Sequence, residues 1–104
     1  MKIYFGLFNG VLDVIREFRC EIPFDIEFIY ASYDIEGYEG YAHVIYRLNG
    51  KLYEVNGSHC SCNGLEGQWT PEENDLAALL LRPNVADAAK ANLKELYKNL
   101  IVFI

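Results

Sequence analysis

Two of the three cysteines and one of the two histidines fall within four consecutive positions, His59-Cys60-Ser61-Cys62, inside the glycine-punctuated stretch Gly57 to Trp69. Imidazole nitrogen and thiolate sulfur are the ligands that borderline and soft ions prefer, and a Cys-x-Cys pair in a turn can present both sulfurs to one ion. A closed structural zinc site needs four ligands. His59, Cys60 and Cys62 supply up to three, and Cys20, the only other thiol, is the candidate fourth. His43, Glu54 and Glu66 are weaker ligand candidates, because a single histidine or acid on a strand is more often a satisfied structural group. The odd number of cysteines, and the closeness of Cys60 and Cys62 in sequence, which disfavours an unstrained bridge between them, point to thiols that are free or metal-bound in a reducing compartment, with Cys20 alternatively a small buried hydrophobe.

The same residues can be drawn as a thiol hydrolase, with Cys60 or Cys62 as nucleophile, His43 as base and Glu54 as the orienting acid. Acidic surroundings raise a thiol's pKa and disfavour that chemistry. No phosphate-binding glycine loop is present, and Glu72 with Glu73 reads as the negative start of a helix.

These groups have to be positioned by one domain spanning residues 1–104, since 104 residues leave little room for a second core. A hydrophobic content of 52% excludes a disordered chain, and the longest apolar runs, Leu76 to Leu81 and Leu100 to Ile104, are far below the roughly 20 residues of a membrane span. A soluble protein without a secretory leader is expected. Tyr4, Phe8, Val11, Leu12, Ile15 and Phe18 recur at helical spacing, which predicts a helix over about 9–19, with residues 2–8 either its beginning or an extended segment.

From Asp25 the period becomes two. Ile26, Phe28 and Tyr30 mark one strand, and Ala42, Val44, Tyr46 and Leu48 mark another. Asn49-Gly50 is the preferred dipeptide of a two-residue hairpin, so Leu48 faces Lys51, Tyr46 faces Tyr53, Ile45 faces Glu54 and Val44 faces Val55, placing His59 opposite Gly40. Thr70-Pro71-Glu72-Glu73 resembles a capping box that opens a helix running to Arg82, and Asn84 can cap a second whose apolar stripe includes Val85, Ala89, Leu93, Leu96, Tyr97, Leu100 and Ile101. Val102, Phe103 and Ile104 are expected to leave it as a tail. The fold class is α+β: an N-terminal helix, a three-stranded antiparallel sheet covered on one face, a metal-binding loop and two C-terminal helices.

Charge narrows the partner. Residues 20–75 hold eleven acids against Arg47 and Lys51, so the middle of this chain of net charge −6 is strongly anionic. Such a field repels nucleic acid and favours a basic protein. Tyr33, Tyr38 and Tyr41 beside Asp34, Glu36 and Glu39, with Tyr30 nearby, form the candidate partner-binding patch.

The segments Ala31-Ser32-Tyr33, Tyr38-Glu39-Gly40-Tyr41-Ala42, Gly50-Lys51-Leu52-Tyr53-Glu54-Val55, Gly57-Ser58-His59-Cys60-Ser61-Cys62, Gly64-Leu65-Glu66-Gly67-Gln68-Trp69 and Pro71-Glu72-Glu73 together resemble a family of small phage-encoded proteins. The likeness covers residues 28–75 and is most specific from His59 to Trp69. Small acidic phage proteins of this type include anti-CRISPR inhibitors of the single-protein type II Cas nuclease. The resemblance implies such an inhibitor acting in the host cytoplasm, with a structural zinc pinning the loop; the alternatives are a zinc-binding interaction module with another partner and the thiol hydrolase.

Overall fold

The computed structural model describes residues 1–101. Its elements run β1 (Tyr4–Gly6), α1 (Val11–Phe18), β2 (Glu27–Glu36), β3 (Glu39–Leu48), β4 (Lys51–His59), β5 (Glu72–Asn74), α2 (Leu76–Leu81), α3 (Asp87–Leu96) and α4 (Lys98–Ile101). The α+β class holds, but the sheet has five strands in the order β1-β2-β3-β4-β5. β1 runs parallel to β2 and the other pairings are antiparallel.

The two additional strands have only three residues each, too few for a periodic signal. β1 arises because Tyr4, Phe5 and Gly6 pair with Ala31, Ser32 and Tyr33, and a parallel neighbour requires the crossover that α1 supplies. β5 replaces the expected helix start. Glu73 pairs with Tyr53 and Glu72 with Glu54, and the cap lies at Asp75, whose side chain accepts a 2.7 Å hydrogen bond from Ala78 N. Thr70 is therefore not a helix cap. Nor is Asn84: α3 starts after Ala86, and Asn84 Oδ1 accepts from Arg82 Nε at 3.0 Å. The tail expected for Val102, Phe103 and Ile104 lies outside the described residues.

The β3–β4 register agrees with the hairpin prediction at every pair, from Leu48↔Lys51 to Gly40↔His59. Asn49 and Gly50 both take positive φ, 53° and 78°, as the mirror-image turn demands.

Helices cover both faces of the sheet, where covering of one was expected. On one face Phe28, Ala31, Tyr33, Val44, Tyr46 and Val55 pack against Val14 and Phe18 of α1 and against Leu65. On the other, Tyr30, Ile45 and Leu52 pack against Leu79 of α2 and Ala89 and Leu93 of α3, with Val85 between them. Alternation makes this unavoidable, because Val44 and Ile45 are adjacent, both fully buried, and point to opposite faces.

Candidate functional site

The segment after β4 is a built loop. Asn63 N donates to Cys60 O at 3.2 Å, closing a turn over Cys60–Asn63 that folds Cys62 back over Cys60 and leaves their sulfurs 3.2 Å apart. Both thiols are exposed. The hydrogen bond with Cys62 and the Cys62 backbone N–H lower the Cys60 thiol below its ordinary pKa, and the Cys60 sulfur in turn raises Cys62.

Gln68 staples the loop to the free edge of β4. Its Oε1 accepts from Ser58 N at 2.9 Å, while Nε2 donates to Ser58 O at 2.8 Å and to Gly64 O at 3.0 Å, so a side-chain amide stands in for a neighbouring strand. Leu65 is buried in the α1-side core, and Trp69 stacks on Tyr46 with ring centroids 5.8 Å apart and meets Phe18 edge-on. The Gly-Leu-Glu-Gly-Gln-Trp segment thus serves to hold this loop.

His59 joins the loop to the core of the sheet. A carbonyl only accepts, so Nδ1 carries the proton in its 2.8 Å bond to Cys60 O, and Nε2 accepts from the Tyr33 hydroxyl at 2.6 Å. Burial raises the Tyr33 pKa, aided by the charges of Glu17 and Glu66, so Tyr33 stays a neutral donor. Cys20 packs into the α1-side core, where burial raises its thiol pKa. Of the four predicted ligands only Cys60 and Cys62 are brought together by their side chains. Among the described residues no group of three or more His, Cys, Asp or Glu side chains forms that could hold a metal.

A second region is the β2–β3 hairpin tip. Gly37, with φ 59°, and Tyr38 form its two-residue turn, a glycine-first hairpin signal that lay between the two stretches read as strands and was missed. Tyr38 is 80% exposed and Tyr41 51% exposed. Asp34, Glu36 and Glu39 surround them, and the Tyr41 hydroxyl donates to Glu39 Oε2. Tyr33 does not belong to this patch, contrary to expectation. Alternation turns it toward α1, where it is buried against Phe8 at a 5.4 Å centroid distance. Tyr30 is likewise buried, on the opposite face against Phe5.

The third region is polar and lies on the α2–α3 face. Register stacks Asp34, Tyr41 and Ser58 in one row, Ser32, His43 and Asn56 in the next, and Tyr30, Ile45 and Glu54 in the third. Beyond the helices the first two rows line a concavity of about 400 Å³, together with Gln68 and Asn84. Behind His43, Glu54, only 4% exposed, accepts from Arg82 through both oxygens at 2.7 and 2.5 Å, from His43 Nε2 at 2.5 Å and from Asn74 Nδ2 at 3.1 Å. Burial alone would raise this carboxyl, but the hydrogen bonds and charges of Arg82 and His43 outweigh it and hold the pKa at about 2. His43 and Glu54 are diagonal neighbours in the predicted register, so their pairing was legible; Arg82, beyond α2, was not. The residues lining the concavity beside His43 include Ser32 and Ser58 but neither cysteine.

No helix among the described residues is long and apolar enough to cross a membrane. Compared with protein-family models, with curated proteins and with solved structures, the chain matches none.

Proposed function

We propose that this protein is a protein-binding inhibitor that docks on a basic surface through the tip of the β2–β3 hairpin. The observation that carries this is the combination of two solvent-exposed tyrosines, Tyr38 and Tyr41, with three carboxylates, Asp34, Glu36 and Glu39, that make no ion pair with any basic side chain among the described residues. Glu36 and Glu39 sit directly across from each other, an arrangement of like charges that destabilises a strand pair unless a cation shares it. One tyrosine on the two-residue turn, Tyr38, and one on the adjoining strand, Tyr41, supply large apolar contact at low entropic cost, the usual composition of a binding hot spot.

The resemblance to phage inhibitors gives the partner: a type II CRISPR nuclease, whose nucleic-acid channel is necessarily basic. Docking there blocks DNA loading or cleavage. The test is a cleavage assay with guide-loaded nuclease, titrated with the protein across a salt series. Inhibition is expected near one equivalent, weakening steeply with salt. Tyr38→Ala and the Glu36→Lys, Glu39→Lys pair should each weaken it by roughly tenfold to a hundredfold while Tm stays unchanged, because these side chains support no core. Undiminished inhibition by these variants, or no binding to the nuclease at low salt, would overturn the proposal.

A further inference from the structure

We infer that Cys60 and Cys62 form a reversible dithiol–disulfide couple, a redox site separate from the docking chemistry proposed above. Three features converge. The Asn63 N to Cys60 O hydrogen bond makes Ser61 and Cys62 the centre of a turn, so the backbone brings the two cysteines to within reach of each other. The 3.2 Å separation must shorten by only about 1 Å to reach a disulfide bond. Both sulfurs are exposed, unlike Cys20, so a small oxidant can reach them.

The surrounding loop is suited to closing in place. His59 Nδ1 and Asn63 N both hold the Cys60 carbonyl, Asn63 Nδ2 donates to Cys60 Sγ at 3.4 Å, and Gln68 anchors the loop on either side. A donor aimed at Cys60 Sγ stabilises negative charge there and marks it as the attacking sulfur. The couple also adjoins the hairpin: Cys60 and His59 line a cleft of about 250 Å³ with Glu39 and Tyr41, which puts the redox state within reach of the proposed docking face.

The oxidant is a low-molecular-weight disulfide such as glutathione disulfide. Cys60 thiolate attacks one of its sulfurs, the S–S bond breaks, and one glutathione thiolate leaves and takes up a proton from solvent. Cys62 then gives up its proton and displaces the second glutathione from Cys60 Sγ. Two protein thiols are oxidised by two electrons, and one glutathione disulfide is reduced to two thiols.

The test equilibrates the full chain, dialysed against chelator, with anaerobic glutathione buffers of stepped ratio, followed by acid quench, alkylation and intact mass measurement. Wild type and Cys20→Ser should convert to a species about 2 Da lighter that resists alkylation at two positions and is restored by dithiothreitol, with peptide mapping placing the bond between Cys60 and Cys62. Cys62→Ser should instead trap glutathione on Cys60, about tenfold or more above the mixed disulfide seen in wild type, because the resolving attack is intramolecular. The inference is overturned if wild type accumulates mixed disulfide to the level of Cys62→Ser, forms bonds between chains, or keeps both thiols alkylatable at the most oxidising ratio. None of these readouts involves a nuclease, so failure here leaves the docking proposal standing and the reverse is equally true.

Discussion

The Cys60–Cys62 pair, the strongest candidate for chemistry in the sequence, and Glu54, a weaker one, are treated by the structure in opposite ways. Glu54 is buried and every capacity it has is used, by Arg82, His43 and Asn74. The thiols are exposed, touch mainly each other, and sit on a loop whose attachment runs through Gln68, Leu65 and Trp69. A saturated buried cluster stabilises the fold, whereas an exposed, preorganised and uncommitted one is free to react.

The sharpest way to break this contrast is Glu54→Ala. It strands Arg82 and His43 at a largely buried position and should cost about 3–5 kcal/mol by chemical denaturation, far more than any thiol change. If the cost is under about 1 kcal/mol, the network is not structural.

Acid titration sharpens the same point without mutation. The Glu54 carboxyl is depressed from its ordinary value of 4.5 to about 2 in the folded protein, so the unfolded chain binds the proton more readily. The stability this gives is present in full above about pH 4.5 and is lost as pH falls through the folded value, amounting to about 3 kcal/mol over that window. Denaturation midpoints measured from pH 6 to pH 2 should fall for wild type and much less for Glu54→Gln.

Gly40→Ala has an intermediate effect. A Cβ at Gly40 would lie 2.2 Å from His59 Nε2, so the imidazole must leave Tyr33. A loss of about 1–3 kcal/mol is expected, with a shifted His59 ring resonance by NMR, while Glu54 and its partners stay in place.

The smallest effect belongs to the thiols themselves. The double variant Cys60→Ser, Cys62→Ser should remain within about 0.5 kcal/mol of wild type, and chelator should move Tm by less than about 2 °C, because the loop is held by hydrogen bonds and aromatic packing already in place. One zinc per chain by elemental analysis, lost in the double variant together with cooperative unfolding, would reverse the comparison and make the loop a metal centre.

The parts legible in the sequence are those set by local chemistry. Residues 42–59 could be read pair by pair because Asn49-Gly50 dictates the turn and the alternation of Val44, Tyr46, Val55 and Tyr53 dictates the face. The helix at 11–18 followed from its apolar spacing, and its end at Arg19 lies in the expected range. Proximity of Cys60 and Cys62 was equally visible. Thr70-Pro71-Glu72-Glu73 misled because its residues suit a helix start, yet pairing of Glu72 and Glu73 with β4 overrides local preference. Tyr33 misled because composition alone does not say which face a residue on a strand occupies.

What the sequence by itself determined is therefore the anionic middle of the chain, the β3–β4 hairpin and the closeness of the two thiols, all properties of residues near one another along the backbone. Tertiary structure alone decided that β1 joins β2, that Arg82 reaches Glu54 across 28 positions, and that the His59 ring lies between the Tyr33 hydroxyl and the Cys60 carbonyl. Those outcomes depend on which distant groups are buried together, where an unpaired polar atom costs too much to leave unmet.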